Sequence, residues 1–257
     1  MSASDTIVTR MDDSVRIITI NRPRVRNAID TATMRALGET VAAAEADSAV
    51  RVIIITGAGD VAFSAGGDMA EMRQSLSLIA CDLDMRVWQD TLGRIERLIK
   101  PVIAAVNGYA YGGGTELAMA CHIRVCGDTA QFGQTEIRHD HLPGAGGTQR
   151  LPRLIPLSAA YELLLTGDSL DAAGAYRLGL VSHVWPKADM LSNAIALAKR
   201  IAQRSPIAVQ YTLEAVAAGL NGSLETGLRI ERAMAALVME SGSAQAGLDN
   251  FVGKGRV

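Results

Sequence analysis

VIAAVNGYAYGGGTELAMAC, residues Val102–Cys121, passes from a β-branched apolar run through three consecutive glycines into a short apolar stretch carrying one glutamate. Val102–Val106 reads as a strand buried on both faces. Gly112, Gly113 and Gly114 mark a point where backbone must come close to something, because glycine is a poor helix former. A helix starting there leaves its first N–H groups unpaired and turns its positive dipole end toward that same spot. Glu116 stands in the first turn, three residues after Gly113, within reach of it. Amide donors beside a carboxylate are the equipment of acid–base chemistry at a carbonyl. Taken alone, the stretch fits a glycine turn with a helix-capping glutamate equally well.

The surrounding pattern places this unit in an α/β core. Val15–Ile20 alternates as a strand, and the loop NRPRVRNAID (21–30) leads to a helix capped by Asp30 or Thr31 and running to about Ala46. Val50–Thr56 is nearly continuous in apolar residues, Gly57–Asp68 reads as a glycine-rich loop, and an amphipathic helix over Asp82–Ile99 stops before Pro101. Ile123–Cys126 is a short strand and Ala130–Phe132 a further one. This alternation predicts crossover units around an internal parallel sheet. From about Ser158 the spacing is helical, with only Leu180–Val184 reading as a strand. The expected division is an α/β core over 1–190 and a helical region over 191–257 that packs on its own core or on a neighbouring subunit.

Bulk composition narrows the function classes. The 257 residues are 49% hydrophobic, 20% charged and only 4% aromatic, so the core must be built from Ala, Val, Ile, Leu and Met. A net charge of −2 gives no footprint for nucleic acid or an anionic membrane. Cys81, Cys121 and Cys126 suggest neither a disulfide framework nor a zinc site. No secretory leader and no run long enough to span a membrane is read from the chain, and a cytoplasmic location is expected.

Two glycine motifs lose to simpler readings. Gly57–Ala62 loosely matches a dinucleotide fingerprint, but the chain continues as loop where that fingerprint needs a helix. Ala62–Gly66 is a defective nucleophile elbow, with alanine where its first glycine belongs and no histidine assigned to Ser64. What remains is Gly66-Gly67-Asp68-Met69, a second close backbone approach leading into a helix with Asp68 as its cap. Downstream, Glu136 lies in AQFGQTEIRHDHLPGAGGTQRL (130–151), followed by another close turn at Pro143–Gly147. Singly, Glu136 fits a helix cap and Arg150 its surface partner. Together, two donor turns and two glutamates are the parts of a site that stabilises an enolate.

These motifs resemble the crotonase family, the enoyl-CoA hydratase/isomerase superfamily, over nearly the whole chain. NGYAYGGGTELAMAC, AFSAGGDM and QFGQTEIRHDHLPGAGGTQRLPRLI carry the resemblance, with NRPRVRNAID similar to its coenzyme A loop and Leu163–Val184 to its core–tail junction. It implies a core of ββα repeats, a spiral of parallel sheets with helices, and a C-terminal helical region for trimerisation. The resemblance assigns Gly67 and Gly113 as oxyanion-hole donors and Glu116 and Glu136 as the catalytic pair. It also assigns Ala65, Asp68, Met69 and the loop Arg24, Val25 and Arg26 to coenzyme A. The implied activity is hydration of 2-enoyl-CoA thioesters, with no cofactor or metal beyond the coenzyme A of the substrate, in a homotrimer or a hexamer built as a dimer of trimers. The alternatives are an isomerase or carbon–carbon bond hydrolase of the same superfamily, or a non-catalytic RNA-binding member.

The chain departs from the family pattern at several points. Asp140, flanked by His139 and His141, stands where the family commonly has glycine, and these three side chains either shape the acyl pocket or face solvent. Thr135 replaces a common proline and His122 a common aspartate, and the C-terminal ending is shortened. Lys254 matches a lysine that approaches coenzyme A from a neighbouring subunit.

Overall fold

The structure, a computed structural model, describes residues 6–74 and 77–254. β1 (Ile7–Asp12) and β2 (Val15–Ile20) form an antiparallel hairpin. A 3-10 turn at Pro23–Val25 leads to α1 (Thr31–Ala46), where the Asp30 side chain accepts from the Thr33 N–H. Next come β3 (Val52–Gly57), β4 (Ala62–Ser64) and the short α2 (Met69–Met72), capped by Asp68. α3 (Leu78–Glu96) starts four residues ahead of the sequence expectation because the Ser77 hydroxyl accepts from the Ala80 N–H. β5 (Val102–Val106) and β6 (Tyr109–Tyr111) feed α4 (Gly113–Ala120), the strand–turn–helix read from the sequence.

β7 (Ile123–Gly127), β8 (Gln131–Gly133), a 3-10 turn at Glu136–His139 and α5 (Gly147–Leu154) complete the centre of the chain. α6 (Leu157–Thr166), β9 (Ser169–Asp171), α7 (Ala172–Arg177) and β10 (His183–Trp185) then precede α8 (Met190–Ala202). The chain ends in α9 (Pro206–Leu220), α10 (Leu224–Glu240) and α11 (Gly242–Lys254).

The strands form two sheets. One has the order β1-β2-β3-β5-β7-β10 and is parallel beyond the β1–β2 hairpin; the other has the order β4-β6-β8-β9 and is parallel except for β8–β9. Alternation along β3 explains its unbroken apolar run. Ile53 and Ile55 enter the main core with α1, α3 and α4, whereas Val52 and Ile54 face α8 through Met190, Ala194 and Ala198. Each face is covered, so the strand is apolar from Val52 to Ile55, and its one polar side chain, Thr56, is buried with its hydroxyl donating to Ala105 O at 2.8 Å.

Most of the second sheet escapes the sequence pattern because its strands are three residues long, too short for alternation to show. α5 escapes for another reason, since Pro152 lies inside it. The structure also settles Ser64: it is fully buried in β4, and its hydroxyl donates to the Asn27 carbonyl at 2.8 Å. α8 packs on the main sheet, while α9 and α10 bury no residue within the single chain. Among the described residues no helix is long and apolar enough to cross a membrane.

Candidate active site

Each glycine of the triplet has its own spatial reason. Gly112 holds φ 49° and ψ −122°, outside the range of L side chains, and a Cβ there would lie 3.1 Å from Glu136 Oε1. A Cβ on Gly113 would lie 2.5 Å from the Trp88 ring, and one on Gly114 would run into the Ser64 carbonyl. The triplet therefore brings α4 against β4, α3 and the second glutamate at once.

Two amide groups converge at this helix start. Ile29 and Gly67 form a parallel bridge, in which the Ile29 N–H donates to Gly66 O at 2.8 Å and the Asp68 N–H to Ile29 O at 3.0 Å. This pairing leaves the Gly67 N–H on the opposite side of the strand. A Cβ on Gly113 would sit 3.5 Å from Gly67 N, and one on Gly66 would sit 3.1 Å from Gly113 N. Neither the Gly67 nor the Gly113 N–H has a hydrogen-bond acceptor among the described residues. Behind Gly113, the carbonyl of its own peptide unit, Gly112 O, accepts from Glu116 N at 3.0 Å and from Gln134 Nε2 at 3.2 Å. The plane carrying the Gly113 donor is thus held from its other side.

The two glutamates are both buried but have unequal surroundings. Glu116 is 2% exposed, and its Oε1 accepts from the N–H groups of Ala145 at 2.9 Å and Gly147 at 2.7 Å. Burial raises its pKa, opposed by those two amides and by the Arg150 charge. Glu136 is 8% exposed, and its Oε2 is buried with no partner in the described residues. Burial, and then the charge on Glu116, pushes it up to about 7. A ladder of bonds brings Glu136 here: Gly112 N–H donates to Gly133 O at 2.9 Å, and Thr115 Oγ1 donates to Ala110 O at 2.6 Å and accepts from Gly133 N–H at 3.3 Å. Burial shifts both carboxyls toward their protonated forms, but only Glu116 has amide donors and a cation that favour its ionised form, so Glu136 is the better placed of the two to keep its proton.

The remaining predicted positions divide into two groups. The loop with Arg24, Val25 and Arg26 is exposed and lies beside the glycine loop, with the Ala65 N–H donating to Arg26 O at 3.0 Å. Met69 is 51% exposed. The Asp68 side chain has other duties: it caps Ala70 N–H and pairs with Arg22 at 3.1 Å. His139 and Asp140 are exposed and His141 is half-buried. Asp140 adopts φ 58° and ψ 29°, the left-handed conformation that glycine takes at least cost and that aspartate tolerates. The side chain of Lys254 lies outside the described residues. Sequence reading overlooked Trp88, Gln134, Arg22 and the inward role of Arg150; none belongs to a motif whose chemistry announces it. Among the described residues no His, Cys, Asp and Glu side chains are grouped to hold a metal ion.

Two mostly parallel sheets with helices, and a glycine-opened helix following β6, place the chain in the crotonase-like class of fold. The chain belongs to the enoyl-CoA hydratase/isomerase family, whose sequence model matches residues 10–257. It is 36% identical over 225 residues to the short-chain-enoyl-CoA hydratase of Clostridium acetobutylicum, covering 88% of this chain and 86% of that protein. It is 37% identical over 252 residues to the crotonyl-CoA hydratase of Syntrophomonas wolfei, covering 98% and 96%. The crystal structure of an enoyl-CoA hydratase from Bacillus anthracis superposes with a TM-score of 0.93 at 38% identity, covering 97% of this chain and 96% of that one.

Proposed function

We propose that this chain is an enoyl-CoA hydratase, a hydro-lyase that adds water syn across the double bond of 2-enoyl-CoA thioesters. The observation that carries the reading is the unequal pair of buried glutamates beside two unpaired amide N–H groups. The thioester oxygen lies between the Gly67 and Gly113 N–H groups, which take up the negative charge as the enolate forms. Glu116, ionised and held by two amides, removes a proton from water, and the new C–O bond forms at the β-carbon. Glu136 gives its proton to the α-carbon, and the proton that Glu116 took from water then passes back to Glu136, so over the full cycle one water adds to the enoyl thioester and both carboxyls return to their starting states. In the reverse direction the two roles exchange.

Coenzyme A enters along the loop of Arg24, Val25 and Arg26, whose cations suit its phosphates, with the backbone of Ala65, Asp68 and Met69 beside it. Of the two readings for His139, Asp140 and His141, the exposure of His139 and Asp140 supports the solvent-facing one, with half-buried His141 left as the candidate for the acyl pocket. The protein acts as a homotrimer or as a hexamer of two trimers, a reading supported by Leu220, Leu224, Leu228 and Leu237, all exposed on α9 and α10 in the single chain. The buried thiols of Cys121 and Cys126 fit a reducing cytoplasm.

The test is hydration of crotonyl-CoA, followed as loss of the enoyl absorbance. The expected result is turnover that falls about 100- to 10,000-fold in E116Q and in E136Q. No turnover by the wild type on short, long or carboxylated enoyl-CoA thioesters would overturn the reading.

A further inference from the structure

Arg150, which the sequence leaves as a surface ion-pair partner, lies inward, with 15% of its side chain exposed. Its Nη1 donates to Ala145 O at 2.8 Å, and its Nη2 reaches Glu96 Oε2 on α3 at 2.9 Å. Ala145 and Gly147 are the residues whose amides hold Glu116 Oε1. Between them, Gly146 takes φ 111°, and a Cβ on it would occupy the place of the Arg150 guanidinium. The turn thus folds around the guanidinium on one side and presents its amides to the carboxylate on the other. We propose that Arg150 is a positioning residue for Glu116, shaping the Ala145–Gly147 turn and setting the charge at which that carboxylate works.

A planar fork suits this post better than an ammonium would, because it serves Ala145 O and Glu96 from one rigid group. The charged groups acting on Glu116 are Glu136 from the 3-10 turn and Arg150 from α5, with Glu96 of α3 behind the arginine. Glu96 is half exposed, so its charge is screened by water more than that of the guanidinium in front of it. Removing the cation therefore favours the protonated form of Glu116.

The proposal rests on the hydratase reading for its kinetic test but not for its direct one. In protein labelled with 13C at glutamate carboxyls, the Glu116 resonance, assigned by its loss in E116Q, is titrated in wild type, R150M and R150K. R150M is expected to titrate about one pH unit higher than wild type, and R150K close to wild type. In parallel, kcat for crotonyl-CoA is expected to fall about 10- to 100-fold in both variants with KM little changed, since both lose the fork. The acidic limb of the pH profile should move upward only in R150M. An unchanged Glu116 titration in R150M overturns the proposal whether or not crotonyl-CoA is the substrate. Should R150M not fold, R150K decides: a kcat equal to wild type overturns the proposal. Absence of turnover in the wild type with a shifted R150M titration would instead overturn the hydratase reading alone.

Discussion

Gly147 donates its N–H to Glu116 Oε1 at 2.7 Å, from 31 residues further along the chain. With Ala145 it gives Glu116 two donors, whereas the buried Glu136 Oε2 has none among the described residues. The asymmetry separates two carboxyls that would otherwise share one buried site. The proposed hydration mechanism needs Glu136 protonated, and burial beside Glu116 pushes that group up to about 7. On the alkaline side, kcat/KM for crotonyl-CoA should therefore fall about tenfold per pH unit above about pH 7. Because the pair titrates together, the profile reports the pair and not one residue. A flat profile between pH 6 and 9 would remove Glu136 as the acid.

The same shift predicts a pH-dependent stability. The folded-state value of about 7 lies above the ordinary 4.5. Between those two pH values the unfolded chain binds fewer protons at this position, so stability declines as pH rises through the interval. Its contribution is fully present below about pH 4.5 and lost above about pH 7, a difference of about 3 kcal/mol. E136Q, neutral at every pH, should thus be more stable than wild type in urea titrations at pH 8. The advantage should vanish near pH 4.5.

How much of this was legible in the sequence depends on chain distance. The helix start at Gly113 and the inward reach of Glu116 follow from residues adjacent in the chain. The donors to Glu116 do not, since Ala145 and Gly147 lie 29 and 31 residues away and act through backbone that any residue type carries. Gln134 and Arg150 likewise act on carbonyls, so no side-chain motif betrays them. The core strand β3 was legible because its buried residues leave a nearly continuous apolar run. β4, β6 and β9 were not, each having three.

Trp88 fixes how closely the Gly113 donor can be approached. A methyl on Gly113 would meet its ring at 2.5 Å, so G113A must displace either the indole or the peptide that carries the donor. A misplaced donor weakens the transition state more than the bound substrate, and kcat should fall about 100-fold with KM little affected. G113A combined with Trp88→Leu should recover part of the loss by opening space for the methyl. Equal activity of G113A and wild type in the crotonyl-CoA assay would show that the ring does not constrain this amide.

Arg22 performs the corresponding service for the Gly67 donor. Its Nη2 pairs with Asp30 at 2.9 Å and Asp68 at 3.1 Å, and its Nη1 donates to Ala28 O at 2.6 Å. These contacts bracket Ile29, whose N–H holds the carbonyl of the Gly66–Gly67 peptide. All three side chains are less than a quarter exposed, so R22M strands two carboxylates in a poorly solvated place. Urea unfolding of R22M at pH 7 should show a loss of about 3 kcal/mol. Adding D30N and D68N to R22M removes the stranded charges while keeping side chains able to cap α1 and α2, and most of that stability should return. Catalysis should not return with it, because Ile29 would still lack its clamp. A triple variant restored in both stability and kcat would show that Arg22 serves charge balance alone.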